Sequence, residues 1–94
     1  MKKPSIKEID DLYTAILQLE SLDECRRFFG DLLTEYEVKE FVKRWKVARM
    51  LAEGIPYTKI GVETGLSTRT IARVGRWLKN GKGGYVMMLK RTAK

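Results

Sequence analysis

Three observations predict an all-α fold. The apolar residues of every segment recur at the 3.6-residue spacing of a helix, and no run alternates as a strand would. The form Ser/Thr-x-x-Glu, which starts helices through reciprocal side-chain and backbone hydrogen bonds, occurs at Ser5–Glu8, Ser21–Glu24 and Thr34–Glu37. The third is the stretch from Tyr57 to Trp77, whose residues suit two short helices crossing at a tight turn, a helix-turn-helix.

In chain order, Ser5 opens a first helix whose apolar face is Ile6, Ile9, Tyr13 and Ile16, running to about Glu20. Ser21 opens a short second helix that carries Phe28 and Phe29 and stops at Gly30. Thr34 opens the third, in which Val38, Phe41, Val42, Trp45, Ala48 and Ala52 trace one apolar face. Val47, Met50 and Leu51 add a second, until Gly54 and Pro56 break the helix. A helix this apolar needs cover on more than one side.

Within the helix-turn-helix, Ile60 faces the core and Gly61 lets the second helix approach. Gly65 suits the left-handed turn residue, Leu66 plugs the corner and Ser67 caps the second helix. Ile71, Val74 and Leu78 give that helix a buried stripe. Residues 80–84, Asn-Gly-Lys-Gly-Gly, form a flexible break before a last short helix over Tyr85 to Arg91. The division expected is one domain over 1–94, with dimerisation helices over 1–54, the helix-turn-helix over 55–80 and a short C-terminal helix or tail over 81–94.

The 94 residues, 44% hydrophobic, make one domain with a modest core that a partner subunit would help complete. No run approaches the roughly 20 apolar residues of a membrane span, and no signal-peptide core follows the N-terminus. A cytoplasmic protein without a membrane partner is expected. Cys25 is the single cysteine and histidine is absent, which excludes an internal disulfide, a four-ligand zinc site and Ser-His or Cys-His nucleophile pairs. After Glu53 the only acid is Glu63, so clustered carboxylates for a catalytic metal are missing there too. No enzyme, metal or cofactor is expected.

Charge is unevenly placed along the chain. Residues 1–55 hold ten Lys or Arg against eleven Asp or Glu, whereas residues 56–94 hold nine against one. Cations clustered in this way favour a polyanion, because binding releases counterions from a phosphate backbone. Double-stranded DNA is therefore the expected partner. On the outer face of the second helix stand Thr68, Arg69, Ala72, Arg73 and Arg76, with Ser67 and Thr70 at its N-terminal end. Arg69 is the first choice for reading a base, since Arg can bond guanine O6 and N7 together in the major groove. Lys59, Arg76, Lys79 and Lys82 would flank the groove at phosphates, and Thr58 with the helix-start N–H groups after Pro56 would assist. A module binding protein or RNA through a degenerate helix-turn-helix is the alternative.

Leu32-Leu33-Thr34 ahead of the third helix, Arg44 within it, Gly54 at its end, and Thr70-Ile71-x-Arg73 resemble the Trp repressor family over Leu32 to Leu78. By helix order the whole chain is similar to the Trp repressor-related proteins of Gram-positive bacteria. The resemblance implies six helices, an intertwined homodimer, reading heads built from the fourth and fifth helices, and a palindromic operator. It also implies a ligand pocket in which tryptophan lies between the arginines matching Arg44 and Arg73, with Thr34 nearby. The chain departs from the family at Val74, where the family has glycine, and at Trp77, where it has serine. One residue is also missing between the third helix and the reading head. Val74 and Trp77 are expected to fill the space left for the indole, or Trp77 to anchor the helix on the core. With that space filled from within, operator binding is expected without L-tryptophan, and a small-molecule effector is left open.

Overall fold

The computed structural model describes residues 2–93, and among them there are six helices and no strand. The helices are α1 (Ile6–Ile16), α2 (Leu22–Leu32), α3 (Glu35–Ala52), α4 (Tyr57–Thr64), α5 (Thr68–Asn80) and α6 (Gly84–Thr92). The chain divides into two compact units, Met1–Val38 and Lys39–Lys94, with the boundary inside α3.

In the N-terminal unit local chemistry starts each helix. Ser5 Oγ accepts the Glu8 N–H at 3.1 Å while Glu8 Oε1 accepts the Ser5 N–H at 2.9 Å, and Thr34 with Glu37 repeats both distances at the start of α3. At α2 the pattern shifts: Ser21 Oγ accepts from Glu24 N at 3.1 Å, but Glu24 Oε1 takes the Glu20 N–H at 2.9 Å. α1 ends at Ile16 and not near Glu20 because its backbone tightens after Leu17, where Gln18 N bonds Ala15 O at 3.0 Å and Leu19 N bonds Ile16 O at 3.1 Å, each one residue short of the α-helical partner. The Glu20 N–H, bonded forward to Glu24, then belongs to the start of α2.

Gly30 does not end α2, which runs on to Leu32. The glycines with positive φ are Gly54, Gly65 and Gly83, so Gly30 stays in the helical region at a cost of about 1 kcal/mol relative to alanine. The helix stops when Leu33 turns extended (φ −112°, ψ 150°) to enter the Thr34 cap. No residue of α1 or α2 is buried.

The C-terminal unit holds the core. Val47, Ala48 and Met50 of α3, Ile60 of α4, and Ile71 and Val74 of α5 are buried together, with Trp45, Leu51, Ile55, Leu66, Leu78 and Tyr85 packed on them. The end of α3 is a Schellman turn, with Ile55 N bonded to Met50 O at 3.1 Å, Gly54 N to Leu51 O at 3.0 Å, and Gly54 at φ +79°. It places Ile55 beside Met50 and sends the chain through Pro56 into α4. Gly65 (φ 72°) ends α4, and Ser67 Oγ caps α5 by accepting the Thr70 N–H at 3.2 Å. A Cβ at Gly61 would stand 3.4 Å from the Leu66 carbonyl and 3.8 Å from Ile71 Cδ1, so α4 and the turn are already in close contact. Gly83 (φ 83°) starts α6 one residue earlier than Tyr85, and it ends one residue later than Arg91.

Candidate nucleic-acid interface

Winding at about 100° per residue, α5 presents three faces. Ile71, Val74 and Leu78 turn to the core, as their spacing predicts. Thr68, Arg69, Arg76 and Lys79 are exposed on the outer face, and Thr58 and Lys59 are exposed on the first turn of α4. Pro56 gives α4 no side-chain cap, so the N–H groups of that first turn have no side-chain acceptor at the cap. Ser67 is exposed, but its hydroxyl is engaged, by the Thr70 N–H and by Thr70 Oγ1 at 3.1 Å.

Charge on the outer face is uncompensated. Among the described residues the ion pairs are Lys7–Asp11 and Arg27–Asp23, both in the N-terminal unit. No carboxylate pairs with Lys59, Arg69, Arg73, Arg76 or Lys79. Exposed cations that are not tied down locally can reach a phosphate or a base edge without first breaking a protein contact.

The third face of α5 carries Thr70, Arg73, Val74 and Trp77, and it walls a cavity of about 830 Å³. Glu40, Lys43, Arg44 and Trp45 of α3 form the second wall, and Tyr85 and Met88 of α6 the third. Leu66, Gly81, Lys82 and Gly84 complete the lining. Trp45 and Tyr85 stack with ring centroids 6.5 Å apart and planes 16° from parallel, which ties the start of α6 to α3.

Of the residues expected at a ligand pocket, Arg44, Arg73, Val74 and Trp77 line this cavity. Thr34 belongs to the N-terminal unit, where it caps α3. Thr70 and Arg73, expected on the DNA face, also line this cavity, Arg73 exposed and Thr70 half-buried. Val74 is 4% exposed and taken into the core, while Trp77 is 54% exposed at the rim. Trp77 and Val74 therefore line the space without filling it, and Trp77 is no core anchor. Reasoning from sequence missed Lys43, Trp45, Tyr85 and Met88 here, and it set Lys82, which also lines the cavity, at a DNA phosphate. The adjacency of Lys43 to Arg44 was the one signal present, since the Trp45–Tyr85 pair joins residues forty positions apart.

The chain matches the family described as Trp repressor protein over residues 7–93. It is 52% identical over 85 residues, 90% of this chain and 82% of the relative, to the uncharacterized protein YerC of Bacillus subtilis (strain 168). A crystal structure of a proposed Trp repressor from Staphylococcus aureus superposes with a TM-score of 0.86 at 42% identity, covering 93% of this chain and 87% of that one. A TrpR-like protein from Eubacterium eligens ATCC 27750 gives a TM-score of 0.87 at 40% identity, covering 93% and 90%.

Proposed function

The chain belongs to the Trp repressor family, and from that premise we propose that it is a sequence-specific DNA-binding transcriptional regulator, a repressor that reads a palindromic operator as a homodimer. The observation that carries this is the outer face of α5, where Arg69, Arg76 and Lys79 stand exposed without a carboxylate partner beyond a turn fixed by Gly65 and a cap at Ser67. In a helix-turn-helix that face enters the major groove, and its N-terminal residues meet base edges. Arg69 would read a base, while Thr58, Lys59, Ser67, Thr68, Thr70, Arg73, Arg76 and Lys79 would touch sugar and phosphate or adjust the fit. The role is one of binding, not catalysis, in the cytoplasm; no helix of the described residues is long and apolar enough to cross a membrane.

Support for the homodimer comes from apolar side chains that one chain leaves uncovered, with Ile6 and Leu17 at 79% and Val42 at 59% exposure. Two copies would set their reading heads about 34 Å apart, one turn of DNA, and the operator would be an inverted repeat. Arg44, Arg73, Val74 and Trp77 mark the cavity as an effector site, and L-tryptophan is not its effector, since Val74 and Trp77 stand where the family's pocket has glycine and serine.

The test is selection of bound duplexes from a random pool, followed by titrations at several salt concentrations. An inverted-repeat consensus bound with a steep salt dependence, and without added L-tryptophan, supports the reading. Binding to all duplexes alike, or preferential binding to RNA, counts against it. Calorimetry with L-tryptophan should give no heat of binding.

A further inference from the structure

The cavity of the C-terminal unit has a charge composition that selects its ligand. Four cations line it, Lys43, Arg44, Arg73 and Lys82, against one carboxylate, Glu40. None of these five groups takes part in an ion pair among the described residues. A zwitterion or a simple monoanion would leave most of that positive charge uncompensated. A phosphate monoester brings about −1.5 to −2 charges and three acceptor oxygens, and Arg side chains meet such a group with paired hydrogen bonds.

The remaining lining supplies the second half of the recognition. Trp45 and Tyr85 lie nearly parallel, and the Trp77 ring stands half in solvent at the rim, with Val74, Leu66 and Met88 as the apolar floor. Ring faces and thioether beside a cationic wall suit a flat, polarisable body. The volume, about 830 Å³, is within the range of small-molecule sites. On α5 the centre of this face lies roughly 140° around the helix from the outer face, so an occupant would not stand where the bases do.

We propose that this cavity binds a small organic phosphate carrying a planar ring, of which a nucleoside monophosphate is the simplest form. The phosphate is held by Arg44, Arg73 and Lys43, with Lys82 closing over it from the α5–α6 connection, and the ring packs against Trp77 and the Trp45–Tyr85 pair. The inference deepens the effector reading and rests on it for the cavity's role, but binding itself is independent of DNA.

The chain contains two tryptophans, and both line the cavity, so in the folded protein intrinsic tryptophan fluorescence reports its occupancy directly. The experiment titrates the full-length protein, free of DNA, with adenosine 5′-monophosphate, adenosine and inorganic phosphate. The nucleotide should quench saturably and bind at least about tenfold tighter than either of its halves. Arg44→Gln and, separately, Lys43→Gln should each weaken it by about tenfold while leaving operator binding unchanged. The idea is overturned if the nucleotide gives no saturable quenching, if adenosine or phosphate alone binds as well, or if neither variant weakens the nucleotide. Operator binding measured on the same samples separates the readings: kept while the nucleotide fails, it removes only this proposal, and lost while the nucleotide binds, it removes only the regulator.

Discussion

The two units of this chain share one secondary structure and differ in almost everything else. Residues 1–38 carry five Lys or Arg against nine Asp or Glu and hold both ion pairs, and neither α1 nor α2 has a buried residue. Residues 39–94 carry fourteen basic side chains against three acidic ones and contain all the buried hydrophobic residues among those described. Helices in the first unit are started by caps, each worth about 1 kcal/mol; those in the second are held by burial, worth about 1.5–3 kcal/mol per large side chain. Good caps start a helix but do not sustain one of 11 residues, which is marginal in water unless an apolar face is covered. Neither α1 nor α2 covers its apolar face within its own unit.

The largest expected effect strikes the self-sufficient unit. Ile71 is fully buried, and Ile71→Ala should lower stability by about 2–5 kcal/mol in denaturant unfolding followed at the two tryptophans, both of which lie in this unit. A loss below about 1 kcal/mol would mean that the core is not organised around α5.

Next come charges on the uncovered faces. Leu17→Asp and Val42→Asp change side chains that are exposed in the single chain, where they should be nearly neutral. If a second copy covers these faces, each variant buries an unpaired carboxylate and the dimer should dissociate to monomer at micromolar concentration in sedimentation. Dimers that survive both substitutions would show that the faces are covered by something else or by nothing.

A smaller effect separates two residues within the basic unit. Arg69→Ala should weaken binding to the selected operator by about 1–3 kcal/mol and relax preference at one base pair. Lys79→Ala should weaken every duplex alike and reduce the salt slope by about one. An Arg69→Ala protein with unaltered sequence preference would shift the reading face elsewhere on α5.

The smallest effect is a pH dependence confined to the acidic unit. The Ser5 backbone and then side-chain hydrogen bonds hold Glu8 below its ordinary 4.5, and the corresponding bonds from Thr34 do the same for Glu37. Because these carboxyls are more acidic folded than unfolded, their contribution is complete above pH 4.5 and is lost as pH falls below it through the lowered values. Helicity followed by circular dichroism should decline over that window, and Glu8→Gln with Glu37→Gln should flatten the decline. A decline that persists unchanged in the double variant would trace the acid sensitivity to other carboxylates.

Six helices and the fourth-to-fifth crossing were legible because their signals are local: a cap within three residues, a glycine at the turn, a stripe at helical spacing. Gly30 misled for the same reason, since a glycine ends a helix only where the chain needs positive φ, and here the Thr34 cap set the end. The end of α1 hid in a switch of the Gln18 and Leu19 N–H groups to partners three residues back, which no periodicity reveals. At the site, Arg44, Arg73, Val74 and Trp77 were legible through the family resemblance, whereas Trp45 and Tyr85 meet only after α3 and α6 have packed. Whether Trp77 filled or lined the cavity depended on where its rotamer pointed, which sequence does not encode locally.

Gly81 has a consequence for how this protein can vary through descent. It follows the last residue of α5, donates its N–H to the Trp77 carbonyl at 2.9 Å, and a Cβ there would run into that same carbonyl, a backbone atom with no freedom to swing aside. Every single-base change that replaces a glycine introduces a Cβ, so no one-step alternative is neutral at this codon. The position separates α5 from the helix latched to Trp45, and it should act as a fixed point while exposed residues around it vary.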